Sequence, residues 1–452
     1  MPLTRLFPPP HEVKTGKRMQ NKGKQPTTVL TINGPIELRR RWWHSPESGS
    51  DAPLDRWIMA NGDSVTPGVR EMCCRLNNDS SNFDRAADNL FRTAHVKLSG
   101  ELLRQIVEAE GRAVLQLHQR GLIDLGFSVA DCVVKPEISS IPSSAPGPLM
   151  SPDPMAPLLT PRPLANTTTL SPPVTRMYTG IDGVMVGLVT EVEKQKRRGK
   201  VVAKRRERQA QGRTPRPLKP RRAGADKSYK EFKAVRFYDE GNEHSHVILS
   251  KCKRTQAAKL MQRDSIRLGF PQAKEKIAIV DGASWIPPQL EDAELHLDGM
   301  CLDFYHLSEN AHKTRRTVFG EAEEGTKWVE TFLHTIKHDG YEVAREQLLV
   351  WRGGLRGKRR KAADRLLNYI VERRDMINYP EFAAKGWQIG SGPTEAACKT
   401  STARLKRSGQ KWDADNAEAV AAMINLRDCD QWGSYWTTLP KKYVTNPVNA
   451  KT

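Results

Sequence analysis

Three acidic residues stand where chemistry is possible. Asp182 interrupts the apolar run GIDGVMV, Asp281 closes the run IAIVDG, and Glu395 follows the turn signal GSGPT. Burying an anion beside an apolar strand is costly unless it is paired or metal-bound. Two carboxylates at equivalent points of a sheet therefore suggest one shared site. Asp-Gly is also a common tight-turn dipeptide, so either aspartate alone reads equally as a turn. Glu395, in the first turn of a helix that Ser391 can cap, also suits the helix dipole for local reasons. Taken together, Asp182, Asp281 and Glu395 supply hard oxygen ligands for magnesium, and a pair of such ions clamps the attacking and leaving oxygens in phosphoryl transfer. The expected cofactor is two Mg2+ (or Mn2+) ions, and the expected chemistry is DNA-strand cleavage and joining. Asp303 and His306, three apart in LDFYH, read as a pair supporting that site, or as a hydrogen-bonded structural pair at a sheet edge.

Positioning these groups requires a sheet. MYTGIDGVMVGLVTEVE, SYKEFKAVRFYDE, HSHVILSKC, KIAIVDGASWI and the start of MCLDFYHLSENA read as strands, with a helix from Gln256 to Leu268 before the fourth. Residues 177–310 thus form the first part of a catalytic core, which resumes at 386–452 with C-terminal helices. Between them, 311–385 is a helical insertion, marked by Trp328, Phe332, Leu333 and Ile336 on one helix and by Ala362, Leu366, Leu367, Ile370 and Val371 on another. Residues 139–176 are rich in Ser and Pro and read as an extended linker. Residues 1–78 hold a basic tail and a short hairpin centred on Asn33-Gly34. Residues 79–138 carry two helices, with Phe83, Ala86, Ala87 and Leu90 on the first and Leu103, Ile106, Val107 and Val114 on a second capped by Ser99. Their spacing fits a helix-turn-helix offering Arg104 and Gln105 to a major groove, and fits an ordinary helical hairpin as well.

Charge selects the partner. There are 72 basic and 52 acidic side chains, giving +20, so the chain seeks polyanions, and double-stranded DNA is the expected one. Fourteen of the basic residues lie between Lys194 and Arg222 against the single acid Glu207. This run, with Lys196, Arg197, Arg198, Lys204, Arg205 and Arg206, reads as a flexible loop clamping DNA phosphate, or as a nonspecific tether. Lys399, Arg404, Lys406 and Arg407 lie on one helix beyond Glu395, either lining a DNA strand or forming a solvated basic face. His244 and His246 read as a surface pair, and Cys398 as a small packing residue. Seven scattered cysteines without a CxxC pair give neither a disulfide framework nor a zinc module. No run of eighteen apolar residues and no signal-peptide core occur, so the expected location is cytoplasmic.

GIDGVMV, IAIVDGASWI, LDFYHLSENA, WQIGSGPTEAACK and RLKRSGQKW, in this order, resemble the ISKra-type bacterial insertion-sequence transposases, distant relatives of the Mutator-like DDE transposases. The resemblance implies an α/β fold, an RNase H-like mixed sheet flanked by helices, with an all-α insertion and a helical N-terminal DNA-binding region. It makes Asp182, Asp281 and Glu395 the catalytic and metal-holding acids and places the family's Asp/Cys-x-x-His motif on Asp303 and His306. It implies cleavage of transposon ends and joining of the 3′-hydroxyl to target DNA, with terminal repeats and target as partners, a nucleoid-associated bacterial location, and a homo-oligomer of at least two chains to hold two ends. The chain departs from the pattern in having no cysteine in RRRWWHSPESGSDAPLDRW and in its enlarged basic run and linker. A decayed or domesticated transposase that only binds DNA, and an RNase H-like nuclease, are the alternative functions.

Overall fold

The computed structural model describes residues 9–12, 15–55, 64–134, 174–215, 217–218 and 220–437; the predicted linker lies almost wholly outside them. Strands β1 (Gln20–Thr31) and β2 (Gly34–Ser45) form the N-terminal hairpin, and β3 (Gly49–Asp51) adds a third antiparallel strand. The turn falls at Ile32-Asn33, one residue earlier than predicted, because Gly34 uses its positive φ of 99° to start β2. Helices α1 (Pro67–Asp79), α2 (Phe83–Ala94) and α3 (Gly100–Arg120) follow. Asn82 and Ser99 act as N-caps, accepting from the backbone N–H of Arg85 at 2.7 Å and Leu102 at 3.2 Å.

Next come β4 (Arg176–Gly187), α4 (Glu191–Ala210), β5 (Tyr229–Asp239), β6 (Ser245–Ser250), α5 (Arg254–Leu268), β7 (Glu275–Val280), α6 (Ile286–Asp292) and β8 (Gly299–Leu302). The five strands form one sheet in the order β6-β5-β4-β7-β8. β4, β5 and β6 run antiparallel, whereas β7 and β8 are parallel to β4. Two elements depart from the sequence reading: α1 (Pro67–Asp79), a third N-terminal helix where a tail and hairpin are predicted, and α4, where the sequence predicts a flexible loop. Thr190 and Glu193 close a capping box, and the run consists largely of straight-chain Lys, Arg, Gln and Glu, which favour helix locally. Helices α7 (Phe304–Phe319), α8 (Glu323–His338), α9 (Tyr341–Gly353), α10 (Gly357–Glu372) and α11 (Tyr379–Ala384) make the insertion, and α12 (Gly392–Ala403) and α13 (Ala414–Asp428) follow.

Strand alternation assigns the two faces of the sheet. Tyr178, Ile277, Ile279 and Leu302 pack against the insertion, including Leu307, Phe332, Leu366 and Tyr379. On the other face Met177, Ile181, Val235, Ala278 and Val280 pack against Met261 and Leu268 of α5 and Ile286 and Leu290 of α6. Both faces of β7 are thus covered over Ile277–Val280, which is why those four residues are all apolar. Farther along β4, Val184 and Val186 join Phe232 and Leu249 beneath α13, whose other side packs on Ile106 and Val107 of α3. Residues 416–426 of α13 are buried all round. The N-terminal helices and the sheet therefore share one apolar core through α13. Arg70 of α1 and Glu110 of α3, both fully buried, pair at 2.5 Å, and the Tyr435 hydroxyl donates to the same carboxylate at 3.0 Å. Among the described residues no helix is long and apolar enough to cross a membrane.

The α3–α13 crossing depends on Gly111, where an added Cβ would collide with the backbone carbonyl of Ala419. Gly111→Ala is expected to push the helices apart and destabilise the protein by about 1–3 kcal/mol. A thermal melt identical to wild type would show that the crossing yields without strain.

Candidate active site

Parallel register brings the first acids together. Ile181 pairs with Val280, and Val280 with Leu302, so the next residues, Asp182 within β4 and Asp281 and Asp303 just past the ends of β7 and β8, stand at one level of three neighbouring strands. Adjacent strands are about 4.8 Å apart, and the charges interact. Burial raises the Asp182 pKa above the usual carboxylate range, and the negative charge of Asp281 adds to the rise against a bond from the Gly183 N–H and a contact with Cys398. That Gly183 N–H donates to Asp182 at 2.6 Å, and the Ala283 N–H donates to Asp281 at 2.8 Å. The Asp-Gly turn predicted as an alternative is present at Asp281-Gly282, where Gly282 has φ of +81°, whereas Asp182-Gly183 continues within β4 and makes no turn.

Glu395 arrives from α12, which is pressed onto the sheet. Gly180 of β4 leaves room for Thr394, since an added Cβ would overlap that side chain. Arg236 of β5 holds the carbonyl of Pro393. Ser391 makes no side-chain cap; its hydroxyl donates instead to Glu395 Oε1 at 3.2 Å. Glu395 is left 47% exposed at the cleft, which is what a ligand for a dissolved ion requires.

Asp303 and His306 knit this helix to the sheet. Asp303, 1% exposed, is the N-cap of α7 and accepts from the N–H groups of Tyr305 (3.3 Å), His306 (3.2 Å) and Ser391 (3.0 Å). His306 Nδ1 lies 2.6 Å from Asp303 Oδ2 and 3.7 Å from Glu395 Oε1. Burial opposes ionisation of Asp303, but the His306 and backbone hydrogen bonds outweigh it and hold its pKa low. His306 is raised, chiefly by its bond to Asp303. Asp303, His306 and Glu395 are the one group among the described residues whose ligand atoms lie within 4.8 Å of each other. Asp182 and Asp281 stand outside this knot, although both sense the same charges.

The cleft, about 520 Å³, is lined by Asp182, His306, Glu309, Glu395, Lys399 and Lys406, with Tyr305 at its mouth. Its donor set suits hard divalent cations, because oxygen ligands dominate and the mutual repulsion of Asp182 and Asp281 is relieved only by positive charge. Cys398 is buried with its pKa pushed up to about 12 by desolvation, so it packs, as predicted.

Not every predicted contact is at the cleft. Arg404 is corrected: it is 1% exposed, with its guanidinium between the rings of Phe83 (4.9 Å) and Trp412 (5.0 Å), so it packs α12 onto α2 and meets no solvent-borne phosphate. Lys399 and Lys406 line the cleft, and Arg407 is exposed and donates to Asp79 at 3.4 Å. Arg104 is bound by Glu101 at 2.6 Å and Glu108 at 2.7 Å of its own helix, and Gln105 donates to Glu101 at 2.8 Å. Lys196, Arg197, Arg198, Lys204, Arg205 and Arg206 lie on α4. His246 is corrected as well: it is fully buried, 3.0 Å from Asp264 and stacked on His118, and not at the surface.

The insertion contributes a contact the sequence does not reveal. Arg373 Nε donates to the Gly282 carbonyl at 2.8 Å and stacks over Tyr369 at 4.1 Å. Gly282 has φ of +81°, and a Cβ there would meet Arg373 Nε and Leu302 Cδ1, both at 2.6 Å. The turn that aims Asp281 is thus held from the insertion. Only Gly282 hinted at this, and the arginine sits in an unremarkable charged run.

No protein-family model matches the chain, and no curated protein matches it. The geometry therefore stands on its own.

Asp182 generates a pH prediction for protein in EDTA. Its folded pKa lies above the 3.8 of an ordinary aspartate, so the folded form holds this proton more tightly than the unfolded form, and its contribution to stability is lost as pH rises through the raised value. Asp182→Asn removes that loss. At neutral pH the variant should melt about 2 °C higher, and the gain should vanish below pH 3.8. A variant melting lower at neutral pH would remove the claim of charge repulsion.

Proposed function

We propose that this chain is a DDE-type DNA transposase with an RNase H-like core, cleaving element ends and joining the 3′-hydroxyl to target DNA. One observation carries the reading: the strand order β6-β5-β4-β7-β8, with Asp182 on the first strand of the sheet's chain order, Asp281 directly after the fourth, and Glu395 on a later helix packed on β4 and β5, where it shares a cleft with Asp182. That is the arrangement which the resemblance of GIDGVMV, IAIVDG and GSGPTEAACK implies. Net charge of +20 favours a polyanionic substrate.

Asp182, Asp281 and Glu395 would hold two Mg2+ or Mn2+ ions. When bound, the ions supply Lewis-acid stabilisation of charge on the phosphate oxygens. The other residues have roles of their own. Asp303 fixes His306, and His306 and the Ser391 hydroxyl keep Glu395 turned toward the cleft. Lys399 and Lys406, on its rim, hold the DNA phosphates flanking the scissile bond without reading sequence. Arg373 and Gly282 keep the Asp281 turn fixed. The N-terminal helices, rigidly attached through α13, engage element ends, and two chains come together to pair two ends in the bacterial cytoplasm.

The test is incubation of purified protein with labelled terminal-repeat duplex in Mg2+, Ca2+ or EDTA. Cleavage and strand transfer are expected in Mg2+ alone, with binding in all three. Asp182→Ala, Asp281→Ala and Glu395→Ala should each abolish cleavage and spare binding. A variant that still cuts removes its residue from the assignment. Cutting without strand transfer favours the nuclease, and binding without cutting in any metal favours a decayed transposase.

A further inference from the structure

The basic run takes a form that its sequence does not announce. α4 has no buried residue among its twenty, so tertiary packing, which stabilises most protein helices, contributes little. Lys196, Lys200, Lys204 and Arg208 recur every fourth position and are exposed, which aligns them in a ridge with about 6 Å between successive cations. Like charges at this spacing oppose the helix. Residues 213–215 and 217–218 lie alongside and leave a groove of about 770 Å³, lined by Arg198, Lys204, Arg205, Arg208 and Arg213 and by no acid among the described residues.

The base of the rod is fixed. Lys194 pairs with Asp413 at 2.8 Å and donates to the Ala223 carbonyl at 2.8 Å, while Glu191 accepts from the Gly224 N–H at 2.6 Å. Glu193 pairs with Lys411, in the connection that also carries Lys406 of the cleft rim. The ridge therefore continues the positive edge of the cleft outward. A helix of this length spans about 30 Å, the rise of roughly nine base pairs.

We propose that α4, with residues 213–215 and 217–218 beside it, forms a rigid seat for the sugar-phosphate backbone of duplex DNA lying outside the catalytic cleft. The bound phosphates neutralise the ridge's self-repulsion, and the seat sets the direction in which DNA leaves the site. An anionic bilayer is a poorer match, since interfacial helices bury a face of large apolar residues and α4 offers three valines as its only large apolar side chains. The inference rests on the DNA partner of the proposed function and on none of its chemistry.

The experiment uses the full chain in EDTA, so that no cleavage is needed. Affinity for an arbitrary duplex of about 40 base pairs is measured by anisotropy across rising KCl, a range in which each lost phosphate contact lowers the salt slope by about 0.9. The variant Lys196→Gln, Lys200→Gln, Lys204→Gln, Arg208→Gln should lose roughly 3 to 4 units of slope, with an unchanged thermal melt. The charge-retaining variant Lys196→Arg, Lys200→Arg, Lys204→Arg should keep the wild-type slope, and duplex should slow hydrogen exchange across 196–210 in the wild type. An unchanged slope in the glutamine variant overturns the proposal, as does equal loss in the charge-retaining one. Ridge-dependent binding to phosphatidylserine vesicles as tight as to duplex overturns the assignment to DNA. Should the cleavage assay fail in every metal while the slope change holds, the catalytic reading falls and the seat remains.

Discussion

The constraint on which this structure turns is that parallel pairing of β4, β7 and β8 forces three carboxylates into one row. Ile181, Val280 and Leu302 are in register, so the residues that follow them cannot avoid one another. Asp303 escapes by capping α7 and binding His306. Asp182 accepts from the neighbouring Gly183 N–H and meets Cys398, Asp281 accepts from the Ala283 N–H, and the burden shows as the raised pKa of Asp182. A fold selected for stability alone would place an asparagine or serine there. Retention of the charge makes sense where a cation is part of the working protein.

The elements outside the sheet answer this constraint in different ways. α12 reaches the row because Gly180 has no side chain and because Arg236 grips its first turn. The insertion braces the row from the other side, through Arg373 on Gly282 and through the Tyr379 hydroxyl, which donates to the Leu302 carbonyl at 3.0 Å. The insertion is thus part of the site's framework, even though its own apolar core of Phe332, Ile336 and Leu366 faces away from solvent and needs no ligand. α13 ties the N-terminal helices to the same sheet through Gly111, so whatever those helices grip is held at a fixed distance from the acids.

Much of this was legible in sequence, and the pattern of success has a physical basis. The strands could be read because burial on one or both faces leaves a local signature, as in KIAIV, and the cap Ser99 could be read because capping is a short-range bond. The acids were legible because a carboxylate inside an apolar run is locally discordant. What could not be read depends on partners distant in the chain. Arg404 looks like its solvent-facing neighbours Lys406 and Arg407 until Phe83, more than three hundred residues earlier, supplies one wall of its slot. His246 looks exposed in EHSHVIL until Asp264 and His118 close over it. The helicity of α4 was obscured by the opposite error: density of charge was read as disorder, whereas Lys and Arg are good helix formers and the capping box at Thr190 was there to be seen.

The distribution of charge then acquires a geometric logic. A row of acids repels phosphate, and at short range that repulsion is weakly screened. Cations held within the row would reverse the local field there. Elsewhere, attraction for a polyanion has to come from side chains: Lys399 and Lys406 line the cleft, Lys411 pairs with Glu193 at the root of α4, and the ridge lies along that helix. Had the fourteen cations of residues 194–222 been spread over the surface, the same net charge would attract polyanions from every side and orient none of them. Concentrated on a helix rooted beside the cleft, they give the field a direction, so that a duplex captured along the ridge is already led toward Asp182 and Glu395.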